Sequence, residues 1–390
     1  TQGYSSAASD VYKRQVLIAG FTENKGGMES YVMNIYRNCD REKLQFDFVT
    51  FCDKEVAYSD EITSLGGRVF HIPRKKQSVK EHYGMMKKIF ENTPYEAVYF
   101  QFNMKPLSLD LFRYAKKYGV KKRIIHSHNT TEPKMSVKDR IREKLADMKL
   151  DKYVNYRFAC SYDAGKWMFG NRDYKVIPNC VNCDDFKYDT DRRNAKRREL
   201  GLENKYVIGT VGRLQPAKNP EYIIDIVNAW TKRDKDVMLL HIGDGELKGS
   251  IDNKVKSLNL QDNVRLLGQR SDIADLMNVM DAFILPSLHE GFPIVLVEAQ
   301  ATGLRCYVAD NITRDCNITG NVKYLPIDVT PEVWAETIAQ DKDIERRDMS
   351  DIVRKKGYDI KTLAEEMEKL FLSQISVSYT HLTLPTNSLV

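Results

Sequence analysis

Two carboxylates, Glu290 and Glu298, have a spacing that indicates a binding site. They follow a short apolar run over residues 282–285, which predicts a buried strand that leads into a loop. Pro293 lies between the carboxylates, at the place of a first helical residue. Proline suits that place because the N–H that it lacks would have no helical partner there. We therefore predict one carboxylate on a loop, a second in the early turns of a helix, and free backbone N–H groups between them. Such an arrangement can bind a polyol that carries phosphate.

Two cations in the same half of the chain could bind a diphosphate. Residues 206–213 predict a buried strand with Arg213 at its end, and Lys218 follows five residues later at the start of a helix. A guanidinium can contact two oxygens at once, and an ammonium adds a compact point charge. The N-terminal amides of the helix would add further donors. The alternative is that both residues are ordinary surface charges at a helix start.

A glycine pair follows the first predicted strand, residues 16–19, and precedes a helical pattern over residues 28–38. Gly26 and Gly27 would let the backbone approach a ligand closely, and a plain tight turn is the alternative. Because the loop does not read G-x-G-x-x-G, a dinucleotide site is a weak interpretation.

His126 and His128 are the best polar cluster of the first half, at the end of a strand predicted over residues 123–127. Alternation along a strand places both side chains on the same side of the sheet. A histidine in such a place is more often a structural hydrogen-bonding group than a catalytic one. Gln101, Asn103 and Ser161 follow other predicted strands and belong to the same set of candidates.

Strand-like and helix-like stretches alternate along both halves of the chain, which predicts parallel sheets with helices on both faces. The 390 residues are enough for two such domains. Residues 184–198 are charged and poor in apolar side chains, so we place the domain boundary there. Ligands of such sheets lie at the carboxyl ends of the strands.

These motifs, in this order, resemble the retaining glycosyltransferases of family four. The family motif Gly-Arg-Leu-x-x-x-Lys-Asn matches residues 212–219, and the E-x7-E signature matches residues 290–298. The family also has a histidine where His128 lies. Arg305 takes the place of a proline that the family usually has in a turn. The resemblance covers about residues 16–372.

The resemblance implies an α/β protein of GT-B fold. Two Rossmann-like, doubly wound domains would face a central cleft, and a C-terminal helix would cross back to the first domain. We expect an acceptor-binding domain over residues 16–186, a nucleotide-sugar-binding domain over residues 187–355, and the returning helix within residues 356–376. A helical tail is expected from about residue 331 to residue 372.

The resemblance also assigns roles to individual residues. Arg213 and Lys218 would bind the donor diphosphate, Glu290 the hydroxyls of the transferred sugar, and Glu298 the ribose. The expected catalytic residues are His128, Arg213, Lys218 and Glu290. The expected donor-binding residues are Gly26, Gly27, Arg213, Lys218, Glu290, Gly291, Phe292, Pro293, Ile294 and Glu298.

The function implied is transfer of a sugar, with retention of anomeric configuration, from a nucleotide sugar to a glycan or lipid-linked saccharide. UDP-sugar is the expected donor, and bacterial exopolysaccharide or capsule assembly is the expected setting. No cofactor and no metal are expected, because two cations would neutralise the leaving diphosphate. The alternatives are a nucleotide-sugar epimerase or a non-catalytic sugar-nucleotide-binding protein of the same fold. A nicotinamide dehydrogenase fits worst.

Charge is concentrated in the first half of the chain. Residues 105–152 contain fourteen Lys and Arg against six Asp and Glu, a larger excess than the +6 of the whole chain. Within this segment Val137, Ile141, Leu145 and Met148 share one face of a predicted helix with basic flanks. Such a helix can lie on an anionic membrane, and a packed helix with a solvated charged face is the alternative. Nucleic acid is not an expected partner, because no recognised binding module accompanies the charge.

Cysteine usage and hydropathy predict a cytoplasmic protein, with peripheral attachment to the inner face of the plasma membrane as a secondary hypothesis. The seven cysteines are scattered rather than arranged as a disulfide framework. Cys180 and Cys183 form one C-x-x-C, which supplies only half the ligands of a tetrahedral zinc site. No apolar run approaches the roughly 20 residues that span a bilayer.

The two ends of the chain resemble translated sequencing-adapter DNA. Residues 10–15 read Asp-Val-Tyr-Lys-Arg-Gln, the translation of a transposon end used in sequencing libraries. Residues 377–382 read Val-Ser-Tyr-Thr-His-Leu, one frame of its reverse complement. We therefore predict that residues 1–15 and 377–390 are adapter-derived and form no native part of the fold.

Overall fold

The computed structural model describes residues 13–101, 105–128 and 136–373. The chain divides into two compact units: Asn179–Asp359 form the second, and the segments before and after them form the first. Our expected boundaries followed residues 186 and 355. Residues 179–186 belong to the second unit because Val181 forms a parallel bridge with Asp359 and packs, with Cys183, against side chains of that unit.

The first unit alternates strands and helices along the chain, as predicted. Its strands are β1 (Arg14–Ala19), β2 (Leu44–Thr50), β3 (Val69–His71), β4 (Tyr95–Phe100), β5 (Lys122–Ser127), β6 (Tyr156–Ala159) and β7 (Lys175–Val176). Its helices up to β7 are α1 (Gly27–Asn38), α2 (Ser59–Ser64), α3 (Val79–Asn92), α4 (Lys105–Lys117), α5 (Val137–Leu150) and α6 (Tyr162–Phe169).

The strands of the first unit form a parallel sheet in the order β3-β2-β1-β4-β5-β6-β7. Both faces of β1 are buried, since Val16, Leu17, Ile18 and Ala19 are all inaccessible to solvent. Burial on both faces is the property that lets a continuous apolar run form a central parallel strand. Of the predicted adapter residues, Arg14 and Gln15 lie within β1. Their backbone pairs with β2 whatever the origin of their codons. Residues 1–12 and 377–390 lie outside the described part of the chain.

The second unit repeats the same architecture. Its strands are β8 (Tyr206–Val211), β9 (Val237–Ile242), β10 (Val264–Leu266), β11 (Ala282–Leu285), β12 (Arg305–Ala309) and β13 (Val322–Leu325). Its helices are α7 (Thr190–Leu200), α8 (Pro220–Thr231), α9 (Lys248–Ser257), α10 (Ile273–Val279), α11 (Ile294–Ala301), α12 (Pro331–Gln340) and α13 (Ser350–Lys355). The parallel sheet has the order β10-β9-β8-β11-β12-β13.

Strand β12 corrects one expectation of the sequence analysis. Arg305 was expected in a turn, but it begins β12 and pairs with Ala282 of β11. The four residues that follow it in β12 are fully buried, so this segment supplies core as well as backbone pairing. The structure also divides the expected helical tail from residue 331 to residue 372 into three separate helices.

The last helix, α14 (Ile360–Leu372), belongs to the first unit, as the predicted crossover requires. Its apolar face is buried, and the carboxylate of Glu368 accepts a hydrogen bond from the backbone N–H of Asp40, next to the end of α1. At its C-terminus the buried Lys122 ammonium donates to the carbonyls of Phe371 and Ser373, at 2.9 and 2.6 Å. A cation at this position also interacts favourably with the helix dipole.

Helix α5 differs from an ordinary packed helix, because its apolar row faces solvent. Val137, Ile141, Leu145 and Met148 are 76%, 56%, 51% and 71% exposed. The residues of α5 that are buried are Ala146 and Leu150. The packed alternative therefore does not hold for this row. No helix among the described residues has the length and apolar content needed to cross a membrane.

Cys180 and Cys183 are both buried as free thiols. Burial and the nearby Asp359 carboxylate raise the pKa of the Cys183 thiol. Within the described ranges, no group of three or more His, Cys, Asp and Glu side chains is placed to hold a metal ion.

Candidate functional site

The second unit brings its candidate residues together at the point where the strand order reverses. The chain winds from β8 to β9 and β10 on one side, and β11 then returns to the other side of β8. Arg213 lies two residues beyond β8, and Glu290 lies five residues beyond β11. Both therefore lie at the carboxyl edge of neighbouring strands, which is where sheets of this type bind ligands.

Arg213 is exposed between two anchored neighbours. The N–H of Gly212 donates to Ile242 O, and that of Leu214 donates to Asp244 O. The side chain of Leu214 is fully buried, so the backbone of this loop is held on both sides of Arg213. The guanidinium forms no hydrogen bond or ion pair with the described residues, and its donors are therefore available to a ligand.

Lys218 is positioned by a left-handed residue that follows it. Pro216–Lys218 form a single 3-10 turn, and α8 begins at Pro220. Asn219 joins the two with φ of 53° and ψ of 48°. Asparagine is one of the few residues apart from glycine that adopt this conformation readily. The turn lays the Lys218 stem along the backbone, because a Cβ on Gly212 would stand 3.6 Å from it.

Lys218 and Glu290 form an ion pair. The Lys218 ammonium is 2.5 Å from Glu290 Oε1, and the Ser287 hydroxyl donates to the same oxygen at 2.7 Å. A backbone hydrogen bond from Leu288 N–H to Ala217 O, of 2.9 Å, joins the two loops. The side chains are 21% and 9% exposed, so the pair is largely shielded from water. An ammonium has three donors, and two remain for a phosphate.

Helix α11 begins one residue later than predicted. Pro293 is the N-cap, with φ of −72° and ψ of 105°, and Ile294 is the first helical residue. Pro293 lies just outside the helix because its ψ is extended, while its carbonyl already accepts from Leu296 N–H at 3.0 Å. The N–H groups of Ile294 and Val295 have no acceptor within a helix, so they are suited to bind an anion. Gly291 is exposed, and Phe292 stacks on Tyr358.

Glu298 lies on α11 and is partly buried. Burial raises the pKa of this carboxyl to about 7. The ionised form is disfavoured there because it loses hydration without gaining a cation. A ligand that donates hydroxyl hydrogen bonds would restore that solvation.

Gly26, the first glycine of the pair in the first unit, has a structural explanation of its own. Gly26 is the N-cap of α1, and a Cβ there would stand 2.8 Å from Glu29 Oε2. The Glu29 carboxylate is buried and accepts from the Thr22 hydroxyl at 2.7 Å. Gly26 therefore makes room for this internal contact. A Cβ on Gly27 would meet nothing within 4 Å among the described residues, so none of them requires glycine there.

His126 and His128 are adjacent, with ring centroids 4.1 Å apart, as the predicted alternation requires. His128 Nε2 donates to Gln101 Oε1 at 2.6 Å, which leaves Nδ1 as an acceptor. That Nδ1 atom is inaccessible to water and has no partner among the described residues. Burial lowers the pKa of His128 to about 3, so the ring is neutral at physiological pH. It can take part in hydrogen bonding, but it supplies no charge.

Two tyrosines complete this cluster, and the sequence analysis did not identify them. Tyr99 OH lies 2.6 Å from His126 Nδ1, and Tyr31 OH lies 3.3 Å from Tyr99 OH. Alternation along β4 would have placed Tyr99 on the same face as Gln101, so a usable signal was present. Ser161, a candidate from the sequence, is the N-cap of α6 and accepts from Ala164 N–H. Asn103 lies outside the described residues.

The sequence matches a known enzyme family. Residues 191–358 match the family described as "Glycosyl transferases group 1". The chain is 34% identical over 327 residues to a protein named as glycosyltransferase EpsF of Bacillus subtilis (strain 168), covering 81% of this chain and 85% of that protein. It is also 38% identical over 150 residues to the UDP-Gal:alpha-D-GlcNAc-diphosphoundecaprenol alpha-1,3-galactosyltransferase of Escherichia coli, which covers 37% of each chain.

The fold also matches that of a solved structure. The crystal structure of Anabaena HepE in complex with UDP is similar with a TM-score of 0.74 and 18% sequence identity, over 92% of this chain and 99% of that one. This likeness confirms the predicted α/β class, with two Rossmann-like parts of the GT-B type.

Proposed function

Because the chain belongs to the group 1 glycosyl transferases, we propose that it transfers a sugar from a UDP-sugar to a saccharide acceptor during synthesis of a surface polysaccharide. The observation that carries this proposal is the exposed Arg213 beside Lys218 at the switch point of the second sheet. The names of the relatives support the choice of donor and setting: one binds UDP, one uses UDP-Gal, and one is an EpsF protein.

Each donor group has a place in this site. Arg213 and Lys218 bind the diphosphate, with the first amides of α11 as additional donors. Glu298 accepts hydrogen bonds from the ribose hydroxyls with its two oxygens. Glu290 contacts the transferred sugar from the position in which it now pairs with Lys218. For the Gly26-Gly27 loop and His128, in the first unit, we propose the roles in donor binding and catalysis that the family resemblance implies.

Charge stabilisation is the main catalytic contribution that these residues can make. Negative charge grows on the diphosphate as the glycosidic bond breaks, and preorganised cations stabilise it most effectively. We propose that the two side chains do this without a metal ion and that the configuration at the anomeric carbon is retained. Departure of the diphosphate and arrival of the acceptor hydroxyl on the same face, with the hydroxyl proton passing to the departing diphosphate, would give that result.

The proposal is tested with a panel of UDP-, GDP- and ADP-sugars, followed by release of the nucleoside diphosphate. We expect a UDP-sugar to be the best donor, and Arg213→Ala and Glu298→Ala to lower turnover more than tenfold, or about 1.4 kcal/mol of transition-state stabilisation. Arg233→Ala is a matched control, because Arg233 is an exposed arginine paired with Glu336 at the surface. If neither site variant loses tenfold, the site assignment is wrong. Conversion of the donor sugar without an acceptor would favour the epimerase alternative.

We also propose that α5 attaches the enzyme to an anionic membrane surface, on the cytoplasmic face of the plasma membrane. The exposed apolar row of α5 is flanked by Lys138, Arg140, Arg142 and Lys144. Apolar side chains would enter the headgroup region while the cations contact anionic lipids, each adding about 1 kcal/mol near the surface. A lipid-linked acceptor would be presented at that surface.

Vesicle sedimentation tests the attachment. Wild-type protein should sediment with phosphatidylglycerol vesicles and remain in solution with phosphatidylcholine vesicles. The double variant Ile141→Ser, Met148→Ser should lose most of the vesicle-bound fraction. Ile352→Ser, which changes an exposed apolar residue of α13, is the matched control. Equal binding of the double variant and the control would exclude α5 as the attachment site.

A further inference from the structure

A cavity of about 390 Å³ lies at the carboxyl edge of the first sheet, entirely within the first unit. It is bounded by the loops that follow β1 and β2 and by helices α3 and α4. Its volume falls within the range of about 300–1,000 Å³ that is typical of small-molecule sites. Phe21, Phe51 and Leu107 supply much of an apolar wall. The carboxyl edge of a parallel sheet is also where such sites occur.

One residue that lines this cavity has a buried polar atom without a partner among the described residues. His82 is fully buried, and its Nδ1 lies 2.7 Å from Pro73 O. Because a carbonyl only accepts, Nδ1 carries the proton and Nε2 presents a lone pair. Nε2 is inaccessible to water and has no hydrogen-bond partner in the described part of the chain. Leaving a buried acceptor unpaired costs about 1–3 kcal/mol, which a ligand hydroxyl would recover once a shift of the ring exposes Nε2.

A second acceptor lines the same cavity. Asp110 is 6% exposed, and its carboxylate is held by the Lys75 ammonium and by the Tyr83 hydroxyl at 3.4 Å. A carboxylate has more acceptor positions than these contacts use. Two aromatic rings with two buried acceptors suit a sugar, because its ring has apolar faces and its hydroxyls donate.

The chain beside the cavity carries three consecutive cations. Arg74, Lys75 and Lys76 are all exposed, and the first two line the cavity. Arg74 Nε donates to Phe51 O at 3.0 Å, which holds the guanidinium beside the cavity, and its two terminal nitrogens form no hydrogen bond with the described residues. A planar guanidinium with free terminal nitrogens is well suited to phosphate.

We infer that this cavity binds the acceptor substrate as a glycosyl phosphate, with the sugar between Phe21 and Phe51 and the phosphate on Arg74. On binding, the His82 ring shifts so that Nε2 becomes accessible and accepts from a hydroxyl of the sugar. The inference rests on the proposed function, because it takes the ligand to be the acceptor of the transfer. It extends that function by assigning the acceptor an anionic phosphate next to its sugar. That chemistry is shared by a soluble sugar phosphate and by a sugar linked to a lipid through diphosphate.

Ligand-observed NMR with the full chain tests the site without any donor. The probes are glucose 1-phosphate, glucose and inorganic phosphate. Wild-type protein should bind glucose 1-phosphate at least tenfold more tightly than either fragment. Arg74→Gln should remove most of that advantage and leave glucose binding unchanged within twofold. Lys80→Gln, an exposed lysine of α3 outside the cavity lining, should behave as wild type.

A second variant addresses the sugar. His82→Phe keeps an aromatic ring but removes the acceptor, and we expect at least a fivefold loss for both glucose and glucose 1-phosphate. Equal affinity of wild type, Arg74→Gln and His82→Phe for glucose 1-phosphate would overturn the inference. Because Arg74 is exposed, its variant reports on binding even if His82→Phe fails to fold.

Donor turnover separates this inference from the proposed function. Slow hydrolysis of a UDP-sugar by the wild-type protein, measured as release of UDP without any acceptor, reports on the donor site. If the wild type releases no nucleoside diphosphate in any reaction, the proposed function fails. If UDP is released but wild type and Arg74→Gln bind glucose 1-phosphate with equal affinity, only the acceptor assignment fails. A glucose diphosphate with and without a short prenyl chain then distinguishes a lipid-linked from a soluble source.

Discussion

The ion pair between Lys218 and Glu290 shows that two groups with different expected ligands contact one another before any ligand is present. The sequence assigns Lys218 to a diphosphate and Glu290 to a sugar. With 2.5 Å between the ammonium and the carboxylate, neither is an isolated charge. Arriving phosphate would share the Lys218 ammonium with Glu290, and the carboxylate would be held ready beside the sugar. Arg213 has no such partner among the described residues, so it would be the first cation available to a donor.

Glu298 should make donor binding depend on pH. Its pKa of about 7 means that, without a ligand, the Glu298 carboxyl is largely protonated below pH 7 and largely ionised above it. Because ribose hydroxyls donate to the ionised carboxylate, affinity for a UDP-sugar should rise between pH 6 and pH 8. The slope below pH 7 should approach tenfold per pH unit. Calorimetric titration with a UDP-sugar measures this, since its diphosphate does not titrate in the range. A Glu298→Gln variant should show a flat profile, and an equally steep profile in that variant would contradict the assignment.

At the scale of secondary-structure elements, the segment from the end of β8 to the start of α8 positions the two candidate cations. Gly212, Arg213 and Lys218 lie on one short connection whose path depends on the left-handed Asn219. The same connection is anchored by backbone hydrogen bonds to the loops after β9 and β11. A change in its path would move the Lys218 ammonium away from Glu290.

Substitution of Asn219 tests this dependence. Asn219→Val should lower the free energy of unfolding by about 1–2 kcal/mol, because a β-branched residue is disfavoured in the left-handed conformation. It should also weaken UDP binding, since Lys218 would shift. Asn219→Gly should retain UDP affinity, because glycine adopts the conformation freely. Urea unfolding and calorimetry measure both effects. Equal behaviour of the valine and glycine variants would show that the backbone conformation does not position Lys218.

At the scale of the whole molecule, the chain repeats one architecture twice and then returns to its first part. Both sheets have the strand order that reverses beside their first strand, so each unit presents its loops at one carboxyl edge. Helix α14 then completes the first unit with residues that lie far from it in sequence. Its C-terminal carbonyls are bound by the buried Lys122 ammonium.

Loss of that ammonium should destabilise the first unit alone. We expect Lys122→Met to cost about 1–3 kcal/mol, because two carbonyls lose a charged donor. Hydrogen exchange measured by mass spectrometry should become faster in α1 and α14 and remain unchanged in α8 and α11. Lys121→Met, at the exposed neighbouring position, is the control. Unchanged protection of α14 in the Lys122 variant would mean that this contact does not hold the helix.

The sequence alone determined the alternation of strands and helices, the family motifs and the order in which they occur. These features are local: a buried apolar run, a helix start or a glycine turn depends on residues close together in the chain. Strand β12 was missed although its pattern is also local. Its first residue, Arg305, was interpreted by its family position, and the apolar residues that follow it were not considered. The residues that we propose for the donor site on the second unit could be named in advance because each lies after a strand that the sequence predicts.

Only the tertiary structure decided which of these groups contact one another and which of them are ionised. The Lys218–Glu290 pair joins residues 72 positions apart, and the neutral state of His128 follows from burial beneath side chains of other elements. The exposure of the α5 row is likewise a property of packing, and so is the burial of His82 Nε2 without a partner among the described residues. Burial, desolvation and pairing depend on neighbours that are distant in sequence, so no local pattern specifies them.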